Sequence, residues 1–265
     1  MHGDDRVPRM KQKLRHRLTA RSAALICRLE VDLPALALLW AAAAALASGL
    51  RMSLSGDMAG VFVPNLLSYS LLVAAPMVMM FLGLSWFRKD MLQPQSRYRF
   101  SRIGRWRDVD PVAARSLPLF GATGFMASLV VGILLNIPLR AFEFLTAIPA
   151  LPADAPGWFL LLRQLMLLDV VVMTSMYAFA AVLALRHVPS FPRFLVAAWI
   201  VDIAMQVGIA RVMGALTDLP PAVAAPLGGL LEGNLKKVLI SVAIWLPYLI
   251  LSKRVNLTYR CRVPA

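Results

Sequence analysis

Two cysteines, three histidines and 14 acidic residues are scarce material for chemistry in a chain of 265. Cys27 and Cys261 have no CxxC partner, and His2, His16 and His187 are scattered, so neither a zinc site nor a redox dithiol reaches its ligand count. No metal and no cofactor is expected. There is no HExxH, no GxSxG and no Walker A sequence, and no cluster of facing carboxylates or histidines, so the expectation is a protein that is not an enzyme. Charged residues make up only 16%, too few to cover a soluble surface. What fills the chain is apolar: 59% hydrophobic residues and a mean hydropathy of +0.68. Against this stands a net charge of +14, from 28 Lys and Arg.

The two properties are segregated. A helix crossing a hydrocarbon layer about 30 Å thick needs about 20 apolar residues. Six runs approach that length: Leu33–Leu50, Val63–Phe87, Leu117–Leu139, Trp158–Leu185, Phe194–Leu216 and Val238–Leu251, the last short and expected to borrow residues from Leu230 onward or to end in snorkelling lysines. Lipid offers no partner for backbone N–H and C=O, and no strand-like alternation is visible, so the runs are read as helices. The expected fold is all-α, a polytopic transmembrane bundle of about six spans. Three segments follow in order: a basic amphipathic leader (1–30), two helices with a basic loop (31–116), and a four-helix domain (117–265). The leader before Leu33 is longer than a signal-peptide n-region, so the first span is expected to be retained.

Basic residues crowd one side. Arg6, Arg9, Lys11, Lys13, Arg15, Arg17, Arg21 and Arg28 precede Glu30, eight more lie between Arg88 and Ser116, and Arg186, Arg193, Lys253, Arg254, Arg260 and Arg262 follow later spans. Arg51, Arg140, Lys236 and Lys237 are assigned to the opposite side. The positive-inside rule then puts both termini in the cytoplasm. Met10, Leu14, Leu18, Leu25 and Leu29 recur at helical spacing among cations, the pattern of a helix lying on an anionic leaflet. Arg97, Arg99, Arg102, Arg105, Trp106 and Arg107 interleave charge with aromatic rings. Such interleaving can stack nucleic-acid bases. Beside two membrane spans it is read as contact with anionic lipid headgroups, worth about 1 kcal/mol per cation, and no nucleic acid is expected.

Charges inside spans are costly and mark a partner or a pathway. Asp169 and Arg211 are equidistant in sequence from Ser190, the centre of a short helical hairpin, so they are expected at one depth as an interhelical ion pair. Asp202 is expected beside Tyr177, whose hydroxyl would satisfy it, with Gln206 on the same helical face. Arg163 is expected to snorkel outward. Gly124, Ser128 and Gly132, and likewise Ala41, Ala45 and Gly49, form small-residue stripes expected to pack helices closely. Pro220, Pro221, Pro226, Gly228 and Gly229 argue against a long helix there, and the apolar stretch Ala222–Leu231 is expected to dip into the interface or to re-enter between helices.

The C-terminal segment reads Ile244-Trp245-Leu246-Pro247-Tyr248, then Ser252-Lys253-Arg254-Val255, then Thr258-Tyr259, and Phe191-Pro192-Arg193 follows a short basic turn. Phe191, Pro192, Arg193, Ile244, Trp245, Pro247, Tyr248, Ser252, Arg254, Val255 and Thr258 together resemble the signature of the bacterial inner-membrane family called domain of unknown function 2569. The resemblance spans roughly 117–260 and implies a four-span layout, with two N-terminal spans and the basic leader added. That family has no assigned chemistry. The combined expectation is a non-catalytic scaffold or accessory membrane subunit, with a membrane-protein partner or a second copy of itself. The alternative is a small-solute or proton carrier using Asp202 and the Asp169–Arg211 pair.

Overall fold

A computed structural model of the chain describes residues 6–54, 60–88, 93–95 and 103–265, and for residues 6–16 and 18 the backbone alone. Among the described residues six helices are long and apolar enough to cross a membrane. They are α1 (Arg6–Ser53), α2 (Phe62–Trp86), α4 (Phe125–Ala147), α5 (Gly157–Leu185), α6 (Phe191–Gly214) and α7 (Pro221–Leu251), joined by the short α3 (Pro111–Ser116) and followed by α8 (Lys253–Arg260). Two three-residue strands, β1 (Trp106–Asp108) and β2 (Arg262–Pro264), pair antiparallel. The fold is an all-α bundle of six apolar helices, and the protein is an integral, multi-pass membrane protein.

Helix α5 is the hub, packed against α2, α4 and α6, while α7 lies on α6 and α1 on α2 and α4. Every residue from Ala180 to Leu185 is buried, as expected of a helix apolar all round. The outer helices bury one stripe each. On α1 it is Ile26, Leu33, Ala37, Ala44 and Ser48, spaced by seven and four, while Val31, Leu38, Leu39 and Leu46 face outward. An exposed apolar exterior is what a lipid-facing surface requires. The amphipathic leader is helical but continuous with the first span, because nothing between Arg6 and Pro34 breaks the hydrogen-bond ladder.

Three expectations are corrected. The third span begins at Phe125 rather than Leu117 and runs on to Ala147. Gly121 (φ +100°) and Gly124 (φ +65°) occupy left-handed backbone, which ends any helix approaching from α3. Arg140 therefore lies inside a span and not in an external loop. The sixth span is one continuous helix from Pro221 to Leu251, with no separate interfacial dip. Pro220 and Pro221 sit at its cap and first position, where a missing N–H costs nothing, and Pro226 falls early enough to be accommodated. The small-residue stripes do not pack helices: Gly49 and Gly132 have no atom within 4 Å of where a side chain would begin, and Gly124 lies before α4. Sequence spacing defines a helical face, not what the face meets.

The close helix approach is elsewhere. A Cβ on Gly83 of α2 would lie 3.2 Å from Phe179 and Val182 of α5. Gly83→Val is expected to overpack this crossing by about 1–3 kcal/mol, seen as earlier thermal unfolding in detergent. Gly49→Val, in open space, serves as the neutral comparison.

One end of the bundle gathers the basic segments. Arg186 after α5 pairs with Glu30 of α1 at 2.8 Å, the backbone N–H of Gly124 donates to Ser22 Oγ at 2.8 Å, and β1 in the α2–α4 connection pairs with β2 beyond α8. Asp110 caps α3, accepting from the backbone of Val112 (2.9 Å) and Ala113 (3.2 Å). These contacts bring the leader, the α2–α4 loop, the α5–α6 turn and the C-terminal segment to the same end.

Candidate functional site: a polar cluster and cavity within the bundle

Asp169 and Tyr177 stand eight residues apart on α5, and Asp202 and Gln206 four apart on α6, so each pair shares a helical face. Both faces turn toward Arg140 of α4. Its NH1 donates to Asp169 Oδ2 at 3.2 Å, and its NH2 donates to Oδ1 and Oδ2 of Asp202 at 2.5 Å each. The Tyr177 hydroxyl donates to Asp202 Oδ2 at 2.8 Å, and Gln206 Nε2 donates to Asp169 Oδ1 at 3.0 Å. Arg140 also lies 5.8 Å from the Tyr177 ring centroid, within cation–π range. Asp202 is fully buried and Gln206 is 2% exposed. One guanidinium thus ties three helices through two carboxylates.

Arg140, not Arg211, is the partner of Asp169. Arg211 is exposed on α6, and no ion pair forms to it among the described residues. Equal depth is not sufficient. Nine residues separate Asp202 from Arg211, which at 100° per residue is about half a turn out of phase, so Arg211 points away when Asp202 points in. The available signal was the apolar pattern itself, which continues past Arg140 through Phe142, Phe144 and Leu145 to Ala147.

The cluster extends outward to α7. Glu143, one turn beyond Arg140, forms an ion pair with Lys237, which also donates to Asn234 Oδ1 at 3.3 Å. Arg140, Glu143, Asn234 and Lys237 line a cavity of ≈ 440 Å³, whose walls continue through Tyr177, Trp199 and Trp245. The cavity reaches both groups that bond Asp202 but not Asp202 itself.

A second polar group holds the opposite end of the hub. Arg163 of α5 does not snorkel: it is 4% exposed, donating to Asn65 Oδ1 (2.8 Å) and Ser68 Oγ (3.0 Å) of α2. Asn65 in turn exchanges two hydrogen bonds with the backbone of Leu151, at 2.8 and 2.9 Å. A neighbour with hydrogen-bonding oxygens was nearer than the interface.

Of the headgroup candidates, Arg97, Arg99 and Arg102 lie outside the described residues. Arg105 and Arg107 are exposed, whereas Trp106 is half-buried in β1, its indole N–H donating to the carbonyl of Ile103 at 2.6 Å. The signature residues, far apart in sequence, converge at the basic end. Phe191 and Tyr259 are buried together with ring centroids 5.0 Å apart, and the Tyr259 hydroxyl donates to the carbonyl of Ala184 at 2.9 Å. Arg254 NH1 donates to the carbonyl of Leu119 (3.1 Å) and to Thr123 Oγ1 (2.5 Å), and Thr258 Oγ1 accepts from the backbone N–H of Gly121 at 3.0 Å. Ser252 caps α8 through Val255, which is fully buried, and Trp245 and Tyr248 flank the Phe125 ring at 4.7 and 5.0 Å. Pro192 is buried and Arg193 half-buried beside them, while Ile244 and Pro247 face outward on α7. Burial, with Arg262 and Arg193 nearby, pushes Arg260 down to about 10, so it stays charged at neutral pH, and it donates to the carbonyl of Leu249 at 2.9 Å.

No protein-family model matches the chain, no curated protein matches it, and no solved structure matches it.

Proposed function

We propose that this is a non-catalytic scaffold or accessory subunit of a bacterial inner membrane, with its basic end in the cytoplasm. The observation that carries this reading is the central cluster: Arg140 of α4 holds Asp169 of α5 and Asp202 of α6 within continuous helices. A transport site more often breaks its helices to expose backbone to the substrate. The basic end, with exposed Arg105 and Arg107, suits a surface held against anionic headgroups. The convergence of the signature residues favours kinship with the domain of unknown function 2569 family, and gives those residues a structural task in place of a chemical one. Crosslinking in native membranes is expected to trap a recurrent partner, a membrane protein or a second copy.

A solute or proton carrier is the second reading, favoured by the cavity that reaches Arg140 and Tyr177. Purified protein in liposomes is expected to give no proton or solute flux above empty vesicles. A flux abolished by Asp202→Asn would replace the scaffold reading with the carrier.

A further inference from the structure

We propose that the cavity lined by α4 and α7 binds an organic cation with an apolar body. The inference concerns binding alone and does not rest on the scaffold reading. At ≈ 440 Å³ the cavity falls in the range of about 300–1,000 Å³ that accommodates small-molecule ligands. Its walls divide by chemistry. Leu129, Ile133 and Val238 offer an apolar surface, Tyr177, Trp199 and Trp245 offer aromatic rings, and Arg140, Glu143, Asn234 and Lys237 form the polar end.

The charge balance at that end selects the sign of the ligand. Among the described residues Asp169 and Asp202 share the single guanidinium of Arg140, and Glu143 is matched only by Lys237. The five groups together leave one negative charge unmatched. Behind Arg140 the Gln206 Oε1, in a residue 2% exposed, has no hydrogen-bond partner among the described residues, so the cluster also carries an acceptor in excess. Within a low-dielectric bundle an unmatched negative charge attracts a cation far more strongly than it would in water. Aromatic faces favour the same sign through their quadrupoles.

Lys237 shows where the cation would sit. Its ammonium already rests against Glu143, while its side chain is 64% exposed on a helix that flanks the cavity mouth. That exposure gives the lysine room to swing away and leave the carboxylate to an incoming ammonium or phosphonium. The absent side chain of Gly132, which has no atom within 4 Å of its would-be Cβ, leaves width for the apolar body.

The test titrates the purified full-length protein in detergent with tetraphenylphosphonium, read by calorimetry and by quenching of tryptophan fluorescence. Saturable one-to-one binding is expected, with tetraphenylborate, an anion of the same shape, binding at least roughly tenfold more weakly. Glu143→Gln and Trp199→Ala should each weaken the phosphonium by roughly tenfold, and Lys237→Ala should leave it equal or tighter, because the competing ammonium is gone. Absence of saturable binding, equal affinity for the borate, or weakening by Lys237→Ala would overturn the proposal. Displacement of the phosphonium by phosphatidylethanolamine but not by phosphatidylglycerol in mixed micelles would support the proposal and make a lipid amine the source of the cation. Should Glu143→Gln fail to yield monodisperse protein, the borate comparison and Lys237→Ala still decide.

Discussion

Arg140→Gln is expected to be the most damaging single substitution in the bundle, costing about 3–5 kcal/mol, because it strands two carboxylates in a low-dielectric interior. Asp202 is fully buried, and its other partner, the Tyr177 hydroxyl, is neutral. The measurement is thermal unfolding of detergent-solubilised protein, followed by the loss of the monodisperse peak in size-exclusion chromatography. Arg211→Gln should stay within about 0.5 kcal/mol of the parent, since that side chain is exposed. Combining Arg140→Gln with Asp169→Asn and Asp202→Asn should recover much of the loss by removing the stranded charges along with their counter-ion. A triple variant no more stable than Arg140→Gln alone would mean that Arg140 is not what holds the two carboxylates in the interior. Such a result would count equally against the scaffold reading built on that cluster.

Tyr259→Ala carries the second-largest expectation, about 3–5 kcal/mol for deleting a buried aromatic side chain. The ring lies against Phe191 at the start of α6, and its hydroxyl reaches the carbonyl of Ala184 near the end of α5. Tyr259→Phe keeps the ring and removes only the hydroxyl's hydrogen bond, and the Ala184 carbonyl still accepts from the His187 backbone N–H at 3.3 Å, so it should cost about 0.5–1.5 kcal/mol. The interval between the two variants, measured in the same unfolding assay, separates packing from hydrogen bonding. Equal losses would mean that the ring contact contributes nothing.

The spans were legible because length and composition alone decide whether a helix can cross lipid. Val63–Phe87 and Trp158–Leu185 come within a residue of α2 and α5, where apolar runs end on turn residues. The α4 boundary was hidden in backbone geometry: Leu117–Leu139 reads as one apolar run, yet Gly121 and Gly124 take conformations that hydropathy does not register. The neighbourhood of Tyr177 and Asp202 was accessible because both lie close to a short hairpin turn. The ion pair of Asp169 needed an additional coordinate. Depth follows from counting along two helices, but azimuth depends on the phase of each helix and on which third helix packs between them. Nothing in the sequence spacing announces that Phe191 meets Tyr259 or that Arg254 reaches Leu119 and Thr123, since these contacts are with rings and oxygens contributed by distant segments.

The shared guanidinium also constrains how the protein is made. Arg140 leaves the ribosome 29 residues ahead of Asp169 and 62 ahead of Asp202. Released alone into lipid, its helix would carry a cation parted from Asp169 and Asp202, with Glu143 one turn away, at a cost of about 2.5–3.5 kcal/mol on insertion scales. Holding α4 beside the translocon until both acidic helices have emerged removes that cost, so these three segments are expected to enter the bilayer as a single parcel rather than one after another.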